Sequence, residues 1–217
     1  MTVFVVSAPS GAGKTTLNRR LLKACPQLET SISHTTRMPR PGEKPGDHYH
    51  FVSRSEFEAL IRDHAFIEWA EVHGNLYGTS VSELTRIEGI HKNPLLEIDV
   101  QGWQKARALL PEALSIFILP PSLEILWQRL ESRGSDNLEQ RWLRFQNAYD
   151  EIKNAKDYEV FIVNIELNTA LSEMKSLVEG GKPKADQQLK GHLLCKKLNE
   201  EFNTADWIKG LRQQLGN

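Results

Sequence analysis

The chain has 217 residues, 40% hydrophobic and 25% charged. These values suit one globular domain with a real core and exclude a disordered or fibrous chain. With 27 Lys/Arg against 28 Asp/Glu the net charge is −1, which argues against a general nucleic-acid binder but permits a small anionic ligand held by a local cluster of cations.

Residues 3–7 read as a buried strand, and 15–24 as a helix with Leu17, Leu21 and Leu22 on one side. Two segments have capping-box spacing, Ser53 with Glu56 and Ser80 with Glu83. The first precedes Phe57, Leu60 and Ile61; the second opens a helix that Gly89 ends. Residues 95–99 form an apolar strand ending in an acid. A second strand, 114–119, stops at Pro120 and Pro121. Ser122 caps a helix to about Arg133, and a further helix covers 145–156. A strand at 160–163 and a helix at 169–178 complete the pattern. Strands alternating with helices predict an α/β fold, a parallel sheet flanked by helices. Residues 34–90, with Pro39, Pro41, Pro45, Gly42, Gly46, Gly74 and Gly78, break the rhythm and read as an insertion into a core formed by 1–33 and 91–179.

From Gly180 the character changes. A Gly- and Pro-containing linker precedes Leu189, Leu193, Leu194 and Leu198 at helical spacing. Residues 181–217 hold seven Lys/Arg and four Asp/Glu, a net of +3, which leaves −4 on the first 180. The plain reading is a solvated helical tail; a partner-binding or homo-oligomerising tail is the alternative. No apolar run of about 18 residues exists, so no membrane span is expected. Residues 1–7 are short and lack a cationic leader, unlike a signal peptide. Cys25 and Cys195, with no CxxC pair, fit a reducing cytoplasm.

Between the first strand and the first helix, residues 8–15 read APSGAGKT. This is the GxxxxGK[ST] pattern with Ala8 in place of the first glycine. Gly11 and Gly13 let the backbone turn its N–H groups toward phosphate oxygens, and the helix N-terminus adds its positive end. Lys14 reaches the β- and γ-phosphates, and the Thr15 hydroxyl can ligate Mg²⁺. Ala8, Pro9, Ser10, Gly11, Ala12, Gly13, Lys14, Thr15 and Thr16 are the candidate ATP-binding residues. The loop indicates a nucleoside triphosphate without naming the acceptor.

Four segments follow in order: SHTTRMPRPG at 33–42, DHYHF at 47–51, FIEWA at 66–70 and GNLYGTS at 74–80. Together with the loop they resemble the guanylate kinase family of nucleoside monophosphate kinases, over residues 3 to about 178. The resemblance implies that Arg37 and Arg40 grip the GMP phosphate with guanidinium forks, that Tyr49 and Tyr77 add phenolic hydrogen bonds, and that Glu68 reads guanine. Guanine presents adjacent N1–H and N2–H₂ donors to a carboxylate; adenine does not. Ser33 and Thr79 resemble the hydroxyls that complete base recognition. Asp99 resembles the family carboxylate near Mg²⁺ and the guanine, and Glu97, where some relatives have Asp, joins it with less weight.

Arg133 and Arg144 match the arginines of a lid, about 133–144, that closes over ATP. Leu143 stands where many relatives have Lys, and Arg141 does not match the motif position. Asn164 matches the asparagine after the last strand, and Ile165 replaces the acid that follows it. The implied reaction is phosphoryl transfer from ATP to GMP, with Lys14, Arg37, Arg133, Arg144 and Asp99 as the catalytic set and 34–90 as the GMP-binding module. Two other readings stand beside it. A catalytically silent interaction module of this family would carry a degraded loop, whereas Gly11, Gly13, Lys14 and Thr15 are intact. A kinase for another acceptor would not need Glu68, Tyr77 and Thr79 together. His34, His48, His50 and His73 crowd the insertion without zinc spacing and read as loop histidines near phosphates.

Overall fold

The computed structural model describes residues 1–72, 74–132 and 137–216; His73, Arg133 and the start of the expected lid lie outside them. In chain order the elements are β1 (Phe4–Ser7), α1 (Lys14–Ala24), β2 (Leu28–Thr30), β3 (His34–Thr35), β4 (His50–Phe51), α2 (Arg54–Arg62), β5 (Phe66–Val72), β6 (Asn75–Ser80), α3 (Val81–Gly89) and β7 (Asn93–Glu97). They continue with α4 (Val100–Ala106), β8 (Leu114–Leu119), α5 (Leu123–Glu131), α6 (Leu138–Lys153), β9 (Val160–Val163), α7 (Leu167–Val178), α8 (Gln187–Thr204) and α9 (Asp206–Gln214). The chain forms two compact units, Met1–Val5 with Pro26–Leu114 and Val6–Cys25 with Ser115–Asn217. A five-stranded sheet has the order β2-β7-β1-β8-β9; the pairs β2–β7 and β8–β9 are parallel. The expected α/β class is what the chain adopts.

In the first unit a second sheet has the order β4-β3-β6-β5. Its strands β5 and β6 are antiparallel and pair Glu68 with Thr79 and Ala70 with Tyr77. The sheet is held by a small core of Phe57, Phe66 and Leu76, against which Val52, Leu60 and Ile61 pack. Phe57 and Phe66 stack with centroids 4.4 Å apart. Helix α2 places Phe57 there because its start is fixed. Ser53 Oγ accepts the Glu56 N–H and Glu56 returns to the Ser53 N–H, the reciprocal box expected from the sequence.

The second expected box does not form. Ser80 makes no side-chain cap to α3, and its hydroxyl bonds Ser82 Oγ at 2.8 Å. Glu83 instead turns into the protein, where three donors compete for it more effectively than the Ser80 N–H. Its oxygens take the Ile32 N–H at 2.9 Å, His50 Nε2 at 3.0 Å and the Arg86 guanidinium at 2.9 Å. Strand β7 runs Asn93–Glu97, two residues earlier than the expected 95–99. It ends at Glu97, and Asp99 is the N-cap of α4, accepting the Gly102 N–H at 2.6 Å.

In the second unit the strands are largely apolar: Ile116, Phe117, Ile118 and Leu119 of β8 and Val160, Phe161 and Ile162 of β9 are buried, as strands covered on both faces require. Helix α6 starts at Leu138, earlier than expected, because Asn137 and Gln140 form a capping box that the sequence reading passed over. The tail is two helices. The inward face of α8 is Gly191, Leu198 and Phe202, whereas Leu189 and Leu193 are 62% and 57% exposed. Gly191 is needed because a Cβ there would lie 2.1 Å from Phe161 Cγ. Gly191→Ala should therefore lower stability by about 1–3 kcal/mol or more, read as a shift of the urea midpoint; an unchanged midpoint would mean that α8 does not sit on β9.

Candidate functional site

The residues expected to bind the donor lie in the second unit, those expected to bind the acceptor in the first, and each group is coherent by itself. In the loop between β1 and α1, Gly11 and Gly13 have φ of +90° and +99°, a region that only glycine enters without strain. Gly11 rests on α5, where a Cβ would come 3.1 Å from Leu126 and 3.2 Å from Leu130. The Ala12 N–H donates to the Pro9 carbonyl at 3.0 Å, and its carbonyl accepts Asn164 Nδ2 at 2.8 Å. Asn164, expected as an ATP contact, is buried beneath the loop at the end of β9. The Ser10 N–H donates to Glu151 Oε2 of α6 at 3.2 Å. Gly13 is the N-cap of α1, so Lys14, Thr15 and Thr16 occupy its first turn, where unpaired N–H groups and the helix dipole favour an anion. Ala8 is buried at the strand end.

Arg129, which the sequence reading did not single out, donates through Nη2 to the Asn164 carbonyl at 2.9 Å. Burial pulls its guanidinium below the ordinary value. The signal available was a cation four positions before Arg133 in the sequence. Arg141 does not substitute for a cation at 143: it pairs with Glu131 and lies over the Trp127 ring at 5.4 Å. Leu143 is exposed and Arg144 half-buried on α6; Ile165 is 73% exposed just beyond Asn164.

In the first unit Arg37, Tyr49 and Tyr77 come together. The Arg37 guanidinium lies 5.4 Å from the Tyr49 ring centre, and Tyr49 meets Tyr77 edge-on at 6.0 Å. Arg37 is aimed by Glu43, whose Oε1 accepts Nη2 at 2.9 Å while Oε2 accepts the Arg40 N–H at 2.7 Å. The Arg37 guanidinium and the Arg40 amide hold the Glu43 carboxyl down at about 2. Glu43 was missed; the hint was a lone acid three residues after Arg40 in a Pro-Gly turn. The Arg40 side chain is exposed.

Glu68 sits on β5 with Oε1 accepting the Thr79 N–H at 3.0 Å. Burial raises its carboxyl above the ordinary value, opposed by the Thr79 bond and aided by the Asp99 charge. Gly102 makes room for both acids: a Cβ there would stand 3.1 Å from Glu68 Oε2 and 3.2 Å from Asp99 Oδ1. Thr79 is buried, with its hydroxyl 3.4 Å from Ser33 Oγ. Glu97 and Asp99 are exposed on either side of buried Ile98. His34 and His50 are strand residues, a correction to the loop reading. Their rings are 4.7 Å apart, and Glu83 is bonded to His50. Burial, then the His50 charge, lowers the His34 value.

A model of the family described as guanylate kinase matches residues 1–180. The chain is 50% identical over 179 residues to a guanylate kinase of Shewanella sp. (strain MR-7), covering 81% of this chain and 86% of that one. It is 46% identical over 187 residues to one of Neisseria meningitidis serogroup A / serotype 4A (strain DSM 15465 / Z2491), with coverage of 86% and 91%. The crystal structure of guanylate kinase from Anaplasma phagocytophilum superposes with a TM-score of 0.65 at 31% identity, covering 90% of this chain and 94% of that chain.

Gly13→Ala tests the loop. The new Cβ would lie 2.5 Å from Asn164 Nδ2 at a φ of +99°, which costs about 1–3 kcal/mol in strain alone. Calorimetric titration with ADP should show at least ~10-fold weaker binding, and wild-type affinity would sink this account of the loop.

Proposed function

The chain belongs to the guanylate kinase family, and from that premise we propose how it transfers the γ-phosphoryl group of ATP to GMP, giving ADP and GDP in purine nucleotide metabolism. The observation that carries the residue assignment is the pair of prepared anion sites: a glycine loop on a helix N-terminus, and an arginine pre-aimed by Glu43 among tyrosines. The backbone N–H groups of Gly11, Gly13, Lys14 and Thr15, with the Lys14 ammonium, bind the ATP phosphates. Arg37 and Arg40, with Tyr49 and Tyr77, bind the GMP phosphate. Arg133 and Arg144, in a lid of about 133–144, close over ATP, while 34–90 form the acceptor module. Positioning and charge neutralisation supply the catalysis. The GMP phosphate is already an anionic nucleophile, so no general base is required, and water excluded on closure cannot compete as acceptor.

The donor set fits Mg²⁺. The Thr15 hydroxyl is exposed in the first turn of α1, and one hydroxyl with phosphate oxygens and water is the hard-oxygen environment that this ion takes. Bound there, the ion neutralises charge on phosphate oxygens. Asp99, on the guanine side, is held by the Gly102 N–H.

Glu68 selects guanine. Its Oε1 is fixed by Thr79, so the carboxylate plane is set before guanine arrives and the two adjacent donors meet two acceptors without reorganisation. Ser33 and Thr79 complete the base contact, and Glu97 lines the same acid edge. Cys25 and Cys195 are unpaired thiols, which supports a reducing cytoplasm. Among the described residues no helix is long and apolar enough to cross a membrane. The exposed pair Leu189 and Leu193, one turn apart, is the surface on which homo-oligomerisation through the tail would rest.

Lys14→Ala should lower kcat by on the order of 10²–10³-fold with little change in GMP binding; near-normal turnover would refute the role of the loop. Glu68 accepts guanine only when ionised, and burial raises its carboxyl above the ordinary carboxylate value. Acidification should therefore reduce kcat/KM for GMP at a higher pH than an ordinary carboxylate would, with activity present above the raised value and lost below it. Glu68→Gln should cost at least ~100-fold in kcat/KM for GMP and abolish that acid limb. A coupled assay that gave equal rates with GMP and AMP in the wild-type chain would overturn the assignment of Glu68.

A further inference from the structure

The family match ends at residue 180, and the chain continues into α8 and α9. Three elements hold the nucleotide loop in the second unit. Helix α5 lies beneath Gly11 through Leu126 and Leu130. Strand β9 delivers Asn164 to the Ala12 carbonyl. Helix α6 presents Glu151 to the Ser10 N–H. Helix α8 packs on all three.

Each contact is specific. On α5, the backbone N–H of Leu123, the first residue of that helix, favours the ionised form of the Glu201 carboxyl against its burial. On β9, Gly191 lies flat against Phe161, and the His192 ring meets Phe161 edge-on at 5.0 Å. Just before β9, the Tyr158 carbonyl accepts Gln188 Nε2 at 3.2 Å. On α6, Phe202 stacks on Tyr149 with ring centres 3.7 Å apart and an interplanar angle of 8°. Phe202 also lies parallel to Trp142 at 6.2 Å, and the Tyr149 hydroxyl is hydrogen-bonded to Asn199 Oδ1. The Arg212 guanidinium of α9 lies 4.9 Å from the Phe202 ring centre and donates to the Phe202 carbonyl at 3.1 Å.

We propose that α8 is a brace for the nucleotide loop, and that Phe202 and Asn199 are positioning residues for the phosphoryl donor. The physical need is plain. A loop that aims several N–H dipoles at one point can make few hydrogen bonds of its own, here the Ala12 N–H to the Pro9 carbonyl, so its shape depends on what surrounds it. Donor binding needs that shape fixed to within about 0.5 Å, and any freedom left in α6 or β9 is lost on binding and weakens affinity. Tyr149 lies two residues before Glu151 on α6. A stack and a hydrogen bond at Tyr149 therefore fix the helix that carries the Ser10 contact. Phe202 touches no substrate and acts through Tyr149 and α6.

The inference rests on the loop being the ATP site, and its test reads donor and acceptor separately in the full chain. In calorimetric titrations, Phe202→Ala should weaken ATP binding about 10-fold and leave GMP binding within about twofold, with faster hydrogen exchange at amides 10–13. Phe202→Tyr, which keeps the stack, should restore ATP affinity. Leu193→Ala, on the exposed face of α8, should change neither. If Phe202→Ala does not fold, Asn199→Ala decides, since it removes one partly buried hydrogen bond; it should weaken ATP about threefold with GMP unchanged. Wild-type ATP affinity in the folded Phe202 variant, or in Asn199→Ala where that one decides, would overturn the brace. So would equal losses for ATP and GMP. A wild-type chain that binds ATP but does not phosphorylate GMP would refute the acceptor reading alone, and one that fails to bind ATP would overturn both.

Discussion

The bond from Asn164 Nδ2 to the Ala12 carbonyl is the contact on which the proposed donor site depends. A phosphate-binding loop must leave several of its N–H groups unsatisfied by protein so that a ligand can take them, and buried polar groups without partners are costly. The loop therefore cannot be stabilised through the groups that do its work. It is held through its carbonyls and its back: Ala12 by Asn164, Gly11 by Leu126 and Leu130, and the outermost amide, Ser10, by the carboxylate of Glu151. Gly13 is fixed by the same asparagine, because any side chain would occupy the place of its amide. One buried side chain thus sets both the course of the loop and the identity of its last glycine.

The acceptor residues meet the opposite difficulty. In the proposed role Arg37 must be directed before its phosphate arrives, and a flexible exposed arginine, though charged, loses conformational entropy when it is fixed. Glu43 supplies the direction, and the aromatic faces of Tyr49 and Phe51 restrict the guanidinium plane. The carboxylate does not neutralise the site permanently, since an incoming phosphate brings two negative charges against one. Glu68 is prepared in the same way from the other side. Its bond to Thr79 costs it one lone pair and fixes the plane of the carboxylate that is proposed to read guanine.

Local, strongly patterned features were legible in the sequence. The strand–loop–helix of residues 3–24, the capping box at Ser53 and the apolar strands β8 and β9 follow from short-range rules. The box at Ser80 failed because its spacing is satisfied equally by a glutamate that turns inward, and the donors that draw Glu83 inward, Ile32 and His50, are remote in sequence. Strands β3 and β4 have two residues each, too few for any periodicity, so His34 and His50 looked like loop residues. Glu43 and Glu151 escaped notice for a related reason: each acts on a backbone N–H or an arginine, and a lone acid carries no motif. In the tail, helical spacing pointed to leucines, whereas packing uses Gly191 and Phe202. A glycine that permits close approach and an aromatic that stacks are invisible to a hydrophobic count.

A net charge of −1 does not say which cations can take a ligand. Several cations on this chain are matched where they stand: Arg37 by Glu43, Arg86 by Glu83, Arg141 by Glu131, Lys184 by Glu173. Such matching does not by itself determine whether a given cation can take a ligand. That depends on what the partner does. Glu83 is buried and takes donors from three directions, so Arg86 is spent on structure. Glu43 is bound only by groups of its own turn, and its pairing with Arg37 is one that a doubly charged phosphate can outcompete. The same formal salt bridge is a strut in one place and a rest position in the other, and the difference lies in how many other groups hold the acid.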